Sequence, residues 1–305
     1  MFRRVLSACA LAAGLAASAL TAASAAPAAD CPEGGKVRFG VEPYESSQNI
    51  LPIFSSIAAA IGEKIGCPVD LFIATSYNAE IEAMRNNKLD VAEYGPLGYI
   101  FAHQVAGAEA FAQYAESGDK LSTYYASIVT WKGSGVTDLK GVSGKSFAYS
   151  DPASTSGHLF PAYAFRKNGI DPDTGIKPFY AGTHSASYEA IRNHKVDAGE
   201  LNSQQIESAK RANEYIADQF VTLWQSKPIP NDPVTVRGSL PAPLKKRIED
   251  AFLTLDFTKL PADEVKHLMD AKATHYAPQV DSAYDEIRDL AKTMNYRIED
   301  LDKKK

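Results

Sequence analysis

The chain has 305 residues, a formal charge of −5 and 45% hydrophobic residues. This length is enough for two domains with cores of their own. An acidic chain whose basic runs are no longer than three residues is not expected to bind nucleic acid. After the N-terminal region, no apolar run reaches the about 20 residues that a membrane helix needs.

The N-terminus has the layout of a secretory signal peptide at residues 1–25. Two arginines precede an apolar, alanine-rich run at 5–20, and residues 23–25 form a small-residue cleavage site. Cys9 ends a lipoprotein-like box, but no apolar core precedes that box, so no lipid anchor is expected. Loss of Arg3 and Arg4 takes the formal charge from −5 to −7. We therefore expect an exported protein.

Two cysteines remain after cleavage, Cys31 and Cys67. Each lies shortly before a predicted strand, at 37–41 and at 69–74. If these strands are parallel neighbours, both cysteines lie at the same edge of a sheet, and an exported protein is expected to join them. Closing a loop of that size stabilises a fold by about 3–4 kcal/mol. The alternative is two free, buried thiols.

Predicted strands and helices alternate along most of the chain, in two series. In the first series, strands at 37–41, 69–74 and 89–94 are followed by helices at 49–65, 78–86 and 97–105. In the second, strands at 145–150, 176–180 and 196–201 are followed by helices at 156–167, 186–193 and 203–212. Alternation of this kind is typical of parallel sheets covered by helices.

Two further β-prone regions separate the series. One runs from 124 to 131, and the other comprises 221–224 and 234–237 around a proline-rich bend. We interpret them as two adjacent strands that cross between two lobes and form a hinge. Helices predicted at 242–257, 262–269 and 282–294 complete the first lobe.

The predicted fold is therefore α/β with two lobes, each a mainly parallel sheet flanked by helices, joined by two crossing strands. The first lobe comprises 36–126 and 236–305, and the second comprises 127–235.

A short internal repeat supports two related lobes. Residues 82–94 align with 189–201 at an offset of 107, with seven of thirteen positions identical. Either the lobes share a helix–turn–strand design, or the match is a coincidence between segments with similar preferences. Open parallel sheets bind ligands at the carboxyl ends of their strands. The loops expected to line one cleft are 42–49, 75–77, 94–96, 151–158, 182–185 and the residues near 202.

Loop 151–158 joins a predicted strand to a predicted helix. It contains Ser154, Thr155 and Ser156, here called the anchor triplet, followed by Gly157. The first N–H groups of a helix have no internal partner and favour anions, and hydroxyl groups there can donate to a ligand oxygen. The alternative is an ordinary helix N-cap.

Three motifs of the chain are similar to those of a known family. They are Asp90-Val91-Ala92-Glu93-Tyr94-Gly95-Pro96, Asp151-Pro152 with the anchor triplet, Gly157 and Pro161, and Gly182-Thr183-His184. Through them the chain resembles the periplasmic binding proteins for phosphonate, phosphite and phosphate that serve ABC importers. The resemblance covers most of the mature chain. It implies a type II-like binding protein that delivers its ligand to an importer permease. We expect a monomer without cofactor, and no metal because the six histidines are scattered without a short His-His spacing.

The resemblance also implies the site residues. The anchor triplet would hold the P–O oxygens, and Tyr94 and Tyr44 would close on the ligand from the first lobe. His158, His184 and Asn202 are further candidates. For four of these side chains a structural role is an open alternative: a turn tyrosine at 94, a solvated loop tyrosine at 44, and packed histidines at 158 and 184.

The sequence also bears on the ligand. Aminophosphonate-binding relatives place acidic residues in the cleft, whereas the corresponding positions here hold Ser185 and Asn202. We therefore expect a ligand without an amine; otherwise Glu45 or Glu200 would be its partner. The predicted cleft loops contain no cysteine, which disfavours the arsenite-sensing branch.

Two other functions are alternatives to import. The protein would act as a sensor if it presented its ligand to a membrane histidine kinase. A Ser/His hydrolase is disfavoured, because no Gly-x-Ser-x-Gly motif is present. We predict that the protein is not an enzyme.

Overall fold

The computed structural model describes residues 31–32 and 34–304. The predicted signal peptide at 1–25 lies outside the described residues. Among the described residues, no helix combines the length and apolarity needed to cross a bilayer.

The structure contains strands and helices in two alternating series. The strands are β1 Val37–Val41, β2 Val69–Ile73, β3 Val91–Glu93, β4 Glu109–Glu116, β5 Lys120–Leu121, β6 Thr123–Tyr124, β7 Ser127–Trp131, β8 Ser146–Tyr149, β9 Lys177–Tyr180, β10 Ala198–Glu200, β11 Phe220–Gln225, β12 Ile229–Pro230, β13 Pro233–Val236 and β14 His275–Pro278. The α-helices are α1 Ser47–Ile65, α2 Tyr77–Arg85, α3 Pro96–Ala106, α4 Phe160–Lys167, α5 His184–Arg192, α6 Ser203–Arg211, α7 Ala242–Leu253, α8 Ala262–Val265 and α9 Asp285–Thr293.

The strands form one sheet in each lobe. The first sheet has the order β14-β4-β13-β3-β1-β2 with β5 on β4, and the second has the order β11-β7-β10-β8-β9. In the first sheet, β1 is parallel to β2 and β3, whereas β13 is antiparallel to β3 and β4. In the second, β8 is parallel to β9 and β10, whereas β7 is antiparallel to β10 and β11. The two-lobed α/β fold is confirmed.

Both sheets are mixed, so the expectation of mainly parallel sheets is wrong. The antiparallel part of the first sheet depends on β4 and β14, which the sequence did not indicate. The sequence of β4 is Glu-Ala-Phe-Ala-Gln-Tyr-Ala-Glu. Alanine and glutamate have little intrinsic preference for strands, so pairing with β13 and β14 overrides local propensity here.

The two crossing segments lie side by side, as predicted. β6 pairs with β12 in a separate two-stranded ribbon. The N–H of Asn231 donates to the carbonyl of Ser122 at 3.2 Å, and the N–H of Ser226 donates to the carbonyl of Ala126 at 2.9 Å. A lobe boundary between 235 and 236 would divide β13, all of which pairs in the first sheet. We therefore propose that the second lobe ends before Pro233.

Helix α1 shows why the first lobe is stable. Its buried face contains Ile50, Ile53, Phe54, Ile57, Ala58, Ile61 and Ile65. Gly66 ends the helix in the left-handed conformation, with a φ of 69° that glycine adopts without strain. The next residue, Cys67, forms a disulfide with Cys31. The predicted disulfide is confirmed, and it joins the segment before β1 to the start of β2.

Candidate ligand-binding site between the lobes

A small cavity lies between the two lobes, and the volume within it that is open to a water-sized group is only about 10 Å³. We call it the ligand cavity. It is lined by Glu42, Tyr77, Gly95, Tyr124, Ser154, Thr155, Ser156, His184, Asn202, Asp232 and Met269. Each of the six loops expected to line a cleft contributes at least one of these residues, so the structure brings the loops of both lobes together.

The anchor triplet occupies the turn before α4. Ser154 is the N-cap of a π-helical turn, Thr155–Leu159, and its hydroxyl accepts the N–H of Gly157 at 3.1 Å. Gly157 is required here, because a Cβ at this position would lie 1.8 Å from Oγ of Ser150. The absence of a side chain lets the turn pack tightly against β8, which fixes the triplet at the cavity wall.

The other two hydroxyls of the triplet meet neighbouring elements. Oγ1 of Thr155 accepts the N–H of Leu97, in the first lobe, at 2.8 Å. Oγ of Ser156 accepts an N–H of the Asn202 amide at 3.3 Å. Asn202 is in turn fixed as the N-cap of α6, because its Oδ1 accepts the N–H of Gln205 at 2.7 Å. The triplet is therefore held in place by both lobes.

Two tyrosines supply further donors. Tyr77 and Tyr124 are 2% and 3% exposed. Burial raises the pKa of both phenols well above the ordinary value, so both stay protonated at neutral pH. The hydroxyl of Tyr77 is buried and has no hydrogen-bond partner among the described residues. It is available to a ligand oxygen.

His184 also faces the cavity and is oriented by an acid. Its Nδ1 lies 2.9 Å from Oε1 of Glu200, and its Nε2 lies 3.4 Å from Oγ of Ser154. Both side chains are almost fully buried. The carboxyl group of Glu200 therefore fixes the orientation of the imidazole ring.

Two carboxyl groups, Glu42 and Asp232, line the same cavity. Burial, and then the neighbouring Asp232, raise the pKa of Glu42 well above its ordinary value. Burial, and then Glu93, raise the pKa of Asp232 in the same way. Gly95 makes room for Glu42, since a Cβ there would lie 2.9 Å from Oε1.

The structure brings five of the eight predicted ligand residues into the ligand cavity: Ser154, Thr155, Ser156, His184 and Asn202. Tyr44 instead lines a neighbouring crevice together with Glu45, His184 and Asn202. The hydroxyl of Tyr44 donates to the carbonyl of His267 at 3.4 Å. Glu200 is held against His184, so neither suspected acid lines the cavity itself.

Tyr94 does not line the ligand cavity. Its side chain is fully buried in the first lobe, and its hydroxyl donates to the carbonyl of Glu80 at 3.3 Å. Successive side chains of a strand point to opposite faces, and the sequence alone does not show which face of the strand end meets the cleft. Tyr94 therefore has a structural role inside the first lobe, which was the alternative to a role in ligand binding.

His158 points away from the ligand cavity as well. Its Nδ1 lies 2.7 Å from the carbonyl oxygen of Pro152, and its Nε2 contacts the hydroxyls of Tyr180 at 3.0 Å and Tyr296 at 2.9 Å. These contacts place it beside a separate crevice. His158 therefore stabilises the turn that contains the anchor triplet and does not contact the cavity.

The sequence reasoning missed five lining side chains: Glu42, Tyr77, Tyr124, Asp232 and Met269. The first two belong to loops that were expected to line the cleft, so polar residues at the first and last positions of those loops were a usable signal. Tyr124 and Asp232 lie on the crossing segments, which were interpreted only as a hinge. Met269 follows the region of α8, and no sequence feature indicated it.

Comparisons with known proteins identify the family of the chain. A family model described as ABC transporter, phosphonate, periplasmic substrate-binding protein matches residues 39–284. The phosphonates-binding periplasmic protein of Escherichia coli K12 is 30% identical over 233 residues, which cover 75% of this chain and 68% of the relative. The phosphate-import protein PhnD of Mycolicibacterium smegmatis is 23% identical over 263 residues, covering 81% and 82%.

Solved structures show the same architecture. A binding protein component of an ABC phosphonate transporter from Pseudomonas aeruginosa has a TM-score of 0.75 and 28% identity, covering 85% of this chain and 86% of that chain. PhnD1 from Prochlorococcus marinus, in complex with methylphosphonate, has a TM-score of 0.75 and 20% identity, covering 86% and 99%. The fold and the interlobe cavity define a two-lobed periplasmic binding protein. The chain belongs to the phosphonate family of periplasmic substrate-binding proteins of ABC transporters.

Proposed function

We propose that this protein captures a small phosphorus oxyanion, such as a phosphonate, phosphite or phosphate, and delivers it to an ABC importer permease. The observation that carries the proposal is the set of neutral donors in the ligand cavity. The hydroxyls of the anchor triplet, Tyr77 and Tyr124 share it with the amide of Asn202. Hydroxyl donors at the start of a helix suit a small tetrahedral oxyanion.

The size of the cavity favours the smallest ligands. The two lobes already meet around it, because the N–H of His184 donates to the carbonyl of Tyr44 at 3.0 Å and the N–H of Leu97 reaches Thr155. So small a closed space favours a phosphorus oxyanion with a hydrogen, hydroxyl or methyl substituent over a larger ligand. We propose that ligand binding favours this closed form and that the permease recognises it, with the protein working as a monomer in the periplasm.

One arrangement also suggests a hydrolase. The order of contacts is that of a nucleophile, a base and an acid. Oγ of Ser154 lies 3.4 Å from Nε2 of His184, and Nδ1 of His184 lies 2.9 Å from Oε1 of Glu200. The first separation exceeds the usual 2.6–3.2 Å between a nucleophile and its base. The hydroxyl of Ser154 also caps the turn Thr155–Leu159. We therefore assign it to binding, and expect no turnover of a p-nitrophenyl phosphonate ester incubated with the protein.

Calorimetric titration tests the proposed function. The ligands are phosphate, phosphite, methylphosphonate, 2-aminoethylphosphonate, arsenite and sulfate. We expect phosphite or methylphosphonate to bind more tightly than sulfate. Ser154→Ala or Thr155→Ala removes one hydrogen bond to a charged group, which costs about 1.5–3 kcal/mol, or about ten- to a hundredfold in affinity.

Thr130→Ala is the matched control for Thr155→Ala. Thr130 lies on β7, is fully buried, and does not line the ligand cavity. Loss of the Thr130 hydroxyl should lower the stability of the protein and leave its affinity for the ligand unchanged. If none of the phosphorus compounds binds the wild-type protein, the proposed function is wrong although the fold stands.

A further inference from the structure

The turn that follows α9, residues 294–296, is fixed to the first lobe, and we call it the α9 turn. Helix α9 packs against α3 of that lobe. Asn295 has a φ of 54°, in the left-handed region, and its N–H donates to the carbonyl of Lys292 at 2.9 Å. The N–H of Tyr296 donates to the carbonyl of Ala291 at 2.9 Å. These two bonds form a Schellman motif, which fixes the residues directly after a helix.

The α9 turn contacts the second lobe at two points. The hydroxyl of Tyr296 lies 2.9 Å from Nε2 of His158, and the two rings stack with their centroids 4.9 Å apart and 19° between their planes. Nη1 of Arg166 donates to the carbonyl of Met294 at 3.3 Å. His158 precedes α4 and Arg166 lies on it, and α4 packs Phe165 into the core of the second lobe. Both contacts therefore cross between the lobes.

These contacts reach the turn that holds the ligand-binding hydroxyls. His158 belongs to the π-helical turn Thr155–Leu159, and the anchor triplet at the start of this turn lines the ligand cavity. The carbonyl of Pro152 lies 2.7 Å from Nδ1 of His158 and can only accept, so Nδ1 donates to it. Neither His158 nor Tyr296 lines the cavity. The same short turn thus meets the cavity through its hydroxyls and the α9 turn through its histidine.

A second tyrosine makes the same contact without crossing between the lobes. The hydroxyl of Tyr180, the last residue of β9, lies 3.0 Å from the same Nε2 of His158. β9 pairs with β8 in the second sheet, so Tyr180 and His158 belong to one lobe. Both tyrosines are half-buried. If the lobes separate, the contact of Tyr296 must break, whereas the contact of Tyr180 can persist.

We propose that the α9 turn is a latch that stabilises the closed form, with Tyr296 as a positioning residue that raises ligand affinity without touching the ligand. A contact that exists in the closed form alone shifts the equilibrium toward that form. Apparent affinity falls with the fraction of protein in the binding-competent form, so loss of the contact weakens binding. This inference rests on the proposed function, in which closure captures the ligand, and it adds an interlobe contact outside the ligand cavity.

A permanent contact is the competing explanation. If the α9 turn stayed on the second lobe when the lobes open, the hydroxyl of Tyr296 would contribute to folding alone, as that of Tyr180 does. The Schellman motif and the packing of α9 against α3 favour movement with the first lobe instead. The two explanations predict different properties for the ligand-free protein, which the experiment below measures.

The test compares Tyr296→Phe with Tyr180→Phe, because each variant removes one hydroxyl from Nε2 of His158. Calorimetry with methylphosphonate measures affinity, and denaturant unfolding of the ligand-free protein measures stability. Tyr296→Phe should weaken binding by about two- to tenfold, the equivalent of one hydrogen bond, and leave the unfolding midpoint unchanged. Tyr180→Phe should lower the unfolding midpoint and leave affinity unchanged.

Tyr296→Ala gives a larger effect, because it removes the ring stacking as well as the hydroxyl. The lobes must separate before a ligand leaves a cavity that they enclose, so the loss should appear in the dissociation rate. We expect methylphosphonate to dissociate at least about fivefold faster from this variant, measured by stopped-flow displacement. Tyr296→Phe keeps the ring, so the comparison with Tyr180→Phe stands even if Tyr296→Ala fails to fold.

Three outcomes overturn the latch. The first is wild-type affinity in a folded Tyr296→Ala variant. The second is an equal loss of affinity in Tyr296→Phe and Tyr180→Phe. The third is a loss of ligand-free stability in Tyr296→Phe as large as that in Tyr180→Phe, which would show a permanent contact. In all three the wild-type protein still binds methylphosphonate, so the proposed function survives. If the wild-type protein binds no phosphorus compound, the proposed function is wrong and the latch is rejected with it.

Discussion

The two lobes contain one structural unit twice, at residues 77–93 and 184–200. Helices α2 and α5, and strands β3 and β10, begin and end at positions that differ by 107. Ser76 and Thr183 precede the helices and cap them in the same way, each accepting an N–H three residues further on. The predicted internal repeat is therefore confirmed as a shared helix–turn–strand design.

The turns of the two units agree as well. Asn87 and His194 both have a φ of 55°, in the left-handed region. Lys88 and Lys195 each donate a backbone N–H to the carbonyl five residues earlier. The common geometry thus follows from the caps and the turn, which local hydrogen bonds specify.

The side chains at the cavity differ between the two units. Tyr77 and His184 occupy the same first helical position, and both line the ligand cavity. Gly95 and Asn202, again 107 apart, cap the next helices and also line it. The first lobe thus supplies a phenol where the second supplies an imidazole and an amide. The comparison teaches that the backbone unit positions the site, while a few equivalent positions determine its chemistry.

The largest difference in stability should separate Asp90 from Asp197. Asp90 is fully buried between Arg38 at 2.7 Å and Arg237 at 2.9 Å, whereas Asp197 accepts from the hydroxyl and N–H of Ser146. Asp90→Ala leaves two guanidinium groups without their acid and should cost about 3–5 kcal/mol. Asp197→Ala should cost only about 1 kcal/mol. Denaturant unfolding measures both, and equal losses would contradict the comparison.

The next largest effect on stability concerns the edge of the first sheet where β1 and β2 begin. The first lobe has the Cys31–Cys67 disulfide there, whereas the second has a backbone hydrogen bond of 2.7 Å from Gly144 to Gly175. The double variant Cys31→Ser, Cys67→Ser should lose about 3–4 kcal/mol of unfolding free energy. Thiol titration of the denatured, unreduced wild-type protein should find no free thiol. Two free thiols would disprove the pairing in solution.

Glu93 and Glu200 are the equivalent acids at the ends of β3 and β10. Glu93 accepts from Tyr114 at 2.6 Å and from Tyr276 at 2.9 Å. Burial, opposed by these hydrogen bonds, raises its pKa to about 7. A raised carboxyl pKa adds stability that is complete below the unfolded pKa of 4.5 and is lost as the pH rises through about 7.

Glu93→Gln should remove this dependence. Between pH 4.5 and 7 the wild-type protein should lose about 3 kcal/mol more stability than the variant, measured by unfolding across that range. Parallel stability curves for the two proteins would show that Glu93 is not protonated in the folded state at mildly acidic pH.

The smallest predicted effect distinguishes two tyrosines of the first lobe. Tyr77→Phe removes the unpaired hydroxyl in the cavity and should weaken methylphosphonate binding by about 1.5–3 kcal/mol. Tyr94→Phe removes a hydroxyl that donates to Glu80 inside the lobe, so affinity should be unchanged and stability should fall by about 1 kcal/mol. Equal losses of affinity in calorimetry would show that the hydroxyl of Tyr94 contributes to ligand binding.

Much of this site could be predicted from the sequence because the relevant signals are local. The strand–loop–helix pattern located all six cleft loops, and the hydroxyl run identified the anchor triplet. The direction of a side chain at the end of an element is not a local property. Tyr94 and His158 turn away from the cavity because of what packs around them. Asp232 enters it because the crossing segment passes the cavity, which depends on the tertiary fold.

Strands β4 and β14 could not be predicted from the sequence for the same reason. β4 and β14 form because they pair with each other and with β13, not because their residues favour extended structure.

The central claim is that one small oxyanion bridges the two lobes, and small-angle X-ray scattering tests it most directly. The wild-type protein should show a smaller radius of gyration when saturated with methylphosphonate than without it, because binding favours the closed form in which Leu97 meets Thr155. A radius that stays the same at saturation would contradict the account and indicate a rigid pocket that does not close on its ligand.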